Sequence, residues 1–321
     1  MTTTFGAQEV RFSPTVTTAA ARVLVIVLLG FGLTWASDGF FTAANLVSVL
    51  RQASLLFLLA SGLTLVILAG GLDLSVGANL GICACLAAAV MKGTGSPLYG
   101  AVVGIAVGGA IGVANGLLVT TLRLPAFIAT YGMLWILHGM TYAFMAGETI
   151  HGFAPGFRYI GAGFLGGVPV PVIVMGLSLL AGTVLLQRTV FGQELYAIGA
   201  NHTAAFLSGV PVKRRQVAVY AISGAMAGLA SLVYLARMNA AEGDIGEPLL
   251  MPAIAAVLVG GTVLSGGRGS LIGTMVGALL LTLVLNGLNL LGVNANWQPI
   301  VTGGISLGAL LLERLGAPRR R

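Results

Sequence analysis

The stretch ASLLFLLASGLTLVILAGGLDLSVG, residues 53–77, decides the fold class. Its first 18 residues hold no charge, and their only polar side chains are the hydroxyls of Ser54, Ser61 and Thr64. An apolar run of about 20 residues has the length of a helix that crosses the hydrocarbon of a bilayer. Gly70 and Gly71 then interrupt the run, and Asp73 follows at once. A carboxylate at such a break is costly unless donors satisfy it. The spacing predicts that Asp73 caps a helix beginning at Leu74, its side-chain oxygen taking the free amides of the first turn. Contact with a solute, or a gating role in a pathway, is the other reading of the same residue.

The rest of the chain agrees with that stretch. Of 321 residues, 57% are apolar and 8% are charged, against about a quarter charged in a soluble domain. So few charges could not cover a soluble fold of this size, which excludes a soluble enzyme, a nucleic-acid-binding domain and a disordered regulator. Apolar windows fall near 18–36, 53–70, 75–91, 98–121, 126–146, 169–187, 216–236, 250–265, 269–288 and 296–313. They predict an all-α integral membrane protein, a polytopic bundle of about ten transmembrane helices, some of them short or broken. Residues 42–52 read as an interfacial or partly inserted helix. The first run reads as an anchor rather than a removable signal, because it fills a span and follows a mostly polar tail. Glycines are abundant, 48 in all, and Gly104, Gly108 and Gly112 recur at the four-residue period of a close helix crossing.

Basic residues orient the bundle. With the N-terminus inside, the inner side carries twelve, Arg11, Arg22, Arg123, Arg188, Lys213, Arg214, Arg215, Arg268, Arg314, Arg319, Arg320 and Arg321. The outer side keeps four, Arg51, Lys92, Arg158 and Arg237. This bias predicts two cytoplasmic termini, with tails 1–17 and 314–321 flanking one membrane domain, 18–313. It also accounts for the net charge of +7 without a nucleic-acid partner. An internal echo is present: LAGGLDLSVG (68–77) matches LVGGTVLSGG (258–267) at six of ten positions. Duplicated halves with interrupted helices are common in transporters, and a chance likeness of two glycine-rich turns is the alternative.

No catalytic constellation is present: there is no GxxxxGK[ST] phosphate loop and no HExxH or CxxC spacing. His138, His151 and His202 are too dispersed for a metal site, and His138 reads as a packed polar residue near the bundle interior. Cys83 and Cys85 stand two apart on a helix, do not face each other, and read as small packing residues. Asn79, Asn115, Asn286 and Asn289 lie within spans, with Trp297 and Gln298 at an outer boundary. Such amides either tie helices together or line a wet pathway, and they suit a neutral polyhydroxylated solute better than an ion. Together with Asp73 and Trp297, these asparagines are the pathway candidates.

Three connections carry further signal. The loop 188–215 is the longest inner one. Its first half predicts a short helix running to Gly199, then a second, Thr203 to Ser208, capped by Asn201 and ended by Gly209 and Pro211. Ala204, Ala205, Phe206 and Leu207 suit docking into a partner's groove, and a helix lying flat on the membrane is the alternative. The outer loop 147–168 is rich in glycine and aromatics, and the outer loop 237–248 is acidic, with Glu242, Asp244 and Glu247.

GLDLSVG (71–77), NGLLVTTLRLPAFIATYG (115–132), FGQELYAIGANHTAAFLSGV (191–210), AIAAVLVGGTVLSGG (253–267) and NGLNLLGV (286–293) occur in this order. Together they resemble the permease subunits of bacterial binding-protein-dependent ABC importers of the ribose, xylose and arabinose type, from about residue 42 to 313. The resemblance implies a multi-pass protein of the bacterial inner membrane that moves a monosaccharide by alternating access. It implies no enzyme activity and no cofactor on this chain, with ATP and Mg on a partner ATPase subunit. It further implies an extracytoplasmic solute-binding protein and a second permease copy or homologue, in a homodimer or heterodimer. Residues 191–210 match the family's coupling region, which makes Glu194, Gly199, Asn201, Ala204, Ala205, Ser208 and Gly209 the ATPase-coupling candidates. Glu242, Asp244 and Glu247 are candidates for docking the binding protein. The chain departs from the family pattern before AIAAV, where Leu250, Met251 and Pro252 replace a common acidic pair. Permeases for branched-chain amino acids or nucleosides, and a stand-alone secondary carrier, are the alternative readings.

Overall fold

The structure, a computed structural model, describes residues 14–316. The predictions for the tails beyond those limits lie outside the described residues. Helices α1 (Pro14–Ala36), α2 (Ala43–Leu68), α3 (Val76–Thr94), α4 (Pro97–Thr120) and α5 (Ala126–Met145) come first. A loop region follows with β1 (Ile150–His151), α6 (Pro155–Ala162), β2 (Phe164–Leu165) and β3 (Val168–Pro169). Then come α7 (Val170–Arg188), the short α8 (Val190–Ala200) and α9 (His202–Leu207), α10 (Val212–Met238) and β4 (Ala240–Ala241). The chain ends with α11 (Glu247–Val259), α12 (Leu271–Leu290), a 3-10 turn (Ala295–Trp297) and α13 (Gln298–Gly316).

Each predicted span contains a helix. Six described helices, α2, α3, α4, α7, α10 and α12, are long and apolar enough to cross a bilayer. The protein is therefore a mostly helical, polytopic membrane protein. Two boundaries differ from the sequence reading. Residues 42–52 do not form a separate interfacial helix: Thr42 caps α2, its hydroxyl accepting from Asn45 N at 3.3 Å. No glycine or proline interrupts the chain from there to Ser61, so the helix simply continues. The predicted span 250–265 is a helix only as far as Val259. Beyond it Gly261, Gly266, Gly267 and Gly269 all take positive φ, a backbone that ends a helix and that glycine adopts without a steric penalty. At 13 residues α11 is roughly 20 Å long, about two thirds of a hydrocarbon core.

Helix α2 is the centre of the bundle, buried all round from Ala53 to Leu68, as expected of a helix apolar on every side. Phe57, Leu58, Leu59 and Leu63 pack there with Ala227 and Leu235 of α10, Ala256 of α11 and Leu281 of α12. The most extensive pairing joins α4 to α10. There the predicted glycine period puts backbone on backbone: a Cβ on Gly108 or Gly112 would collide with the carbonyls of Gly224 or Tyr220.

The two echo sequences meet at one end of the bundle, where Gly267 N donates to Leu68 O at 3.0 Å. An inverted repeat would set them at opposite ends. At the other end, β1 pairs antiparallel with β4, His151 opposite Ala240, and β2 pairs with β3. Lys92, near the end of α3, reaches Gly152 O there at 2.6 Å. We refer to these as the break end and the strand end.

Candidate functional site

Asp73 is fully buried in the α2–α3 break. Its Oδ1 accepts from Ser75 N at 3.0 Å and from Ser75 Oγ at 2.7 Å, and Ser223 Oγ of α10 lies 3.5 Å from Oδ2. The predicted cap does not form: α3 begins at Val76 rather than Leu74, its N-cap is Ser75 with no side-chain cap bond, and Asp73 instead closes a turn on Ser75. Neighbouring helices secure the same break. Asn115 Nδ2 of α4 donates to Ser75 Oγ at 2.7 Å, Leu74 N donates to Thr130 Oγ1 of α5 at 3.1 Å, and Tyr220 OH of α10 donates to Leu72 O at 3.1 Å.

The other asparagines also join helices. Asn79 Nδ2 donates to Gly108 O at 3.3 Å while its Oδ1 accepts from Cys83 Sγ at 3.2 Å. Asn286 and Asn45 exchange two amide bonds of 2.8 and 3.1 Å between α12 and α2. Asn289 Oδ1 accepts from Gln298 Nε2 at 2.8 Å, and Trp297 stands exposed in the 3-10 turn beside it. Both cysteines are free and buried.

A cavity of about 790 Å³ opens beside this framework. Gln52, Leu55 and Leu56 of α2 form one wall, Tyr131, Trp135 and His138 of α5 a second. The start of α11 from Glu247 to Pro252, Thr282 of α12, and Gln298 and Thr302 of α13 close it. None of the six pathway candidates belongs to its lining. His138, expected in the bundle interior, faces the cavity. The sequence signal for the α5 wall was the spacing of Tyr131, Trp135 and His138, which also fits rings facing lipid. Glu242, Asp244 and Glu247 are all exposed, but the chain dips at the buried Ile245 and Gly246, and Glu247 alone of the three lines the cavity. Glu242 O accepts from Cys85 Sγ at 3.4 Å, and Gly246 packs on the backbone of Gly77, so the chain entering α11 runs along α3.

The connection 190–207 lies at the break end. Thr189 caps α8, accepting from Gly192 N at 3.3 Å, and Asn201 caps α9 as predicted, its Oδ1 accepting from Ala204 N at 3.0 Å. The coupling candidates divide into two groups. Ala205 is only 5% exposed and packs with Leu195, Ile198 and Val212, and Glu194 pairs with Arg215. Both make their contacts within this chain. So does Gly199, where a Cβ would overlap Leu68 O and Gly267 N. Ala204, Ser208 and Gly209 are exposed, as are Phe206 and Leu207, at 65% and 78%. Gly209, at φ +84°, makes the turn that ends α9. Tyr196 OH donates to Gly269 O at 3.0 Å, and burial raises the pKa of this hydroxyl, which keeps it protonated as a donor.

A family model described as "Branched-chain amino acid transport system / permease component" matches residues 45–310. The chain belongs to this permease family. The permease is 40% identical to the ribose import permease protein of Bacillus subtilis (strain 168), over 87% of each chain. It is 40% identical to that of Escherichia coli (strain K12), over 86% of this chain and 88% of the relative. The D-allose transport system permease of Escherichia coli (strain K12) is 36% identical over 91% and 90%. No solved structure matches. The permease is thus a transport component rather than an enzyme, and its chemistry is contact and movement. Its cavity walls are carried by the helices on both sides of the two breaks, and the breaks touch α8.

Proposed function

We propose that this permease imports a monosaccharide, pentose-like or related, across the bacterial inner membrane by alternating access driven by a separate ATPase subunit. The observation that carries the reading is the cavity. Its polar groups are mainly amides and hydroxyls interleaved with aromatic rings, a lining suited to a neutral, hydroxyl-rich solute. The ribose and allose named for the relatives are solutes of that kind. ATP and Mg belong to the ATPase partner, a binding protein delivers the solute from outside, and a second permease copy or homologue completes the assembly.

The break end is assigned to the cytoplasm, with both termini, because Arg123, Arg188, Lys213, Arg214, Arg215 and Arg268 all flank it. The exposed Phe206 and Leu207 then offer the ATPase an apolar contact, and Glu242 and Asp244 are left at the outer face for the binding protein. Asp73, Asn79, Asn115, Asn286 and Asn289 hold the walls in register. Nucleotide-driven displacement of α8–α9 reaches those walls through Gly199, which lies against both breaks.

The test is uptake into proteoliposomes that contain the permease, its ATPase and its binding protein. ATP-dependent accumulation of labelled ribose or another monosaccharide, and none of leucine, is expected. Leucine accumulation would move the assignment to an amino-acid permease. Uptake that needs no ATPase and collapses with a proton uncoupler would make the chain a secondary carrier.

A further inference from the structure

One feature of the cavity goes beyond general suitability for a hydroxylated solute. Phe127, Tyr131, Trp135, His138 and Tyr142 stand three or four residues apart along one side of α5. Their ring centroids follow one another at 5.8, 6.2, 5.6 and 4.6 Å, the first pair parallel within 3° and the others edge-on. At 1.5 Å per residue this ladder is roughly 22 Å long. It runs from the break end, where Thr130 of the same helix holds Leu74, to the strand end, where Tyr142 packs 3.6 Å from the Cβ position of Gly243. The middle rungs open into the cavity, and Trp135 is 54% exposed.

The other walls are largely aliphatic, with Leu55 and Leu56 of α2 and Leu249, Leu250 and Met251 of α11, but they also carry polar groups. Gln52, Glu247 and Gln298 come from α2, α11 and α13. Glu247 is the one carboxylate in the lining, which contains no lysine or arginine. Among the described residues the ion pair is between Arg215 and Glu194, and Glu247 has no salt-bridge partner among them. An aromatic face is electron-rich and attracts polarised C–H groups. Amide and carboxylate oxygens accept hydroxyl protons, and a carboxylate does so most strongly. A lipid tail uses only the rings and the aliphatic groups, and a metal ion only the oxygens. A sugar ring uses both, with C–H bonds on a face and hydroxyls around the rim.

The geometry points to α5 as a stacking track that takes the sugar in its closed-ring form, with Glu247 and the two glutamines reading the hydroxyls from across the cavity. This assignment rests on the monosaccharide reading above. It makes Tyr131, Trp135 and Glu247 specificity-determining residues, and it makes the cavity disfavour anionic sugars such as uronates and sugar phosphates, which meet the charge of Glu247.

The experiment is equilibrium binding of radiolabelled ribose to the purified permease–ATPase assembly, measured beside ribose uptake in proteoliposomes. Ribitol, which keeps the hydroxyls but lacks the ring, is the competitor. Ribitol is expected to compete at least about tenfold less well than unlabelled ribose. Trp135→Ala should weaken binding about twofold to tenfold, the worth of one aromatic contact, and Trp135→Phe should restore most of it. Glu247→Ala should weaken it about tenfold or more, as for a lost charge-assisted hydrogen bond. Equal competition by ribitol, or unchanged binding and uptake in both alanine variants, overturns the track. Dissociation of the assembly by Trp135→Ala also overturns it, because the ring then faces a second copy, and loss of bilayer incorporation makes it a lipid contact. Wild-type uptake separates the two levels: if no monosaccharide is accumulated, the monosaccharide reading fails, whereas uptake indifferent to the variants removes the track alone.

Discussion

At the scale of the residue, Asp73 shows what a carboxylate inside a membrane bundle needs. It accepts from one amide and two hydroxyls, and its partner Ser75 accepts in turn from Asn115, so one side chain organises α2, α3, α4 and α10. Asp73→Asn keeps an acceptor oxygen for Ser75 and should lower stability only slightly. Asp73→Leu leaves the Ser75 amide and the Ser223 hydroxyl buried without a partner and should cost about 1–3 kcal/mol or more. Thermal unfolding of the two variants in detergent, followed by size-exclusion fluorescence, checks the order. Equal melting points would mean that the network contributes nothing to holding the break.

At the scale of the element, the α8–α9 connection separates contacts with its own chain from contacts with a partner. Ala205→Glu puts a charge into the cluster of Leu195, Ile198 and Val212, so it should unfold the connection and reduce the folded yield. Phe206→Asp and Leu207→Asp change exposed side chains, so they should release the ATPase subunit in co-purification while the permease stays folded. Gly199→Ala pushes a methyl group between Leu68 O and Gly267 N. It is expected to leave ATPase association and hydrolysis in place and to lower solute uptake about tenfold or more, since a displaced contact between moving parts can cost that much. Gly93→Ala, with open space around it in α3, is the control and should have no effect. Much of this element was legible in the sequence: the Asn201 cap, the two short helices and the glycine turn each have a local cause within a few residues. The seat of Gly199 was not legible, because it depends on Leu68 and Gly267, about 130 and 70 positions away in the chain, and the inward direction of Ala205 depends on how α8, α9 and the start of α10 fold together. The same holds for Glu247. Its acidic neighbours mark an outer loop, but only the dip of that loop along α3 brings it to the cavity.

At the scale of the whole molecule, apolar composition places the chain in a bilayer but does not hold the helices to one another, since lipid tails are as apolar as leucine. Backbone approach at small residues and hydrogen bonds between helices must do this. The sequence made the spans and the glycine period visible because both are local patterns, whereas the pairing of α4 with α10 is a long-range fact. Two glycines of α4, Gly112 and Gly109, allow a sharp test. A Cβ on Gly112 would overlap the Tyr220 carbonyl, and Tyr220 also donates to Leu72 O at the break. Gly112→Ala should therefore force α10 away from α4 and loosen the break together, at a cost of about 1–3 kcal/mol. Gly109→Ala, three residues earlier on the same helix, would meet Ala221 O at 3.8 Å and Ala225 Cβ at 3.9 Å, both ordinary contacts. It should be neutral or slightly stabilising, because alanine is the better helix former. Thermal unfolding of both variants in one lipid mixture, read beside ribose uptake, makes the comparison: Gly112→Ala should melt several degrees lower and transport less, and Gly109→Ala should match the wild type. If the two behave alike, close backbone approach between α4 and α10 is not what holds the bundle.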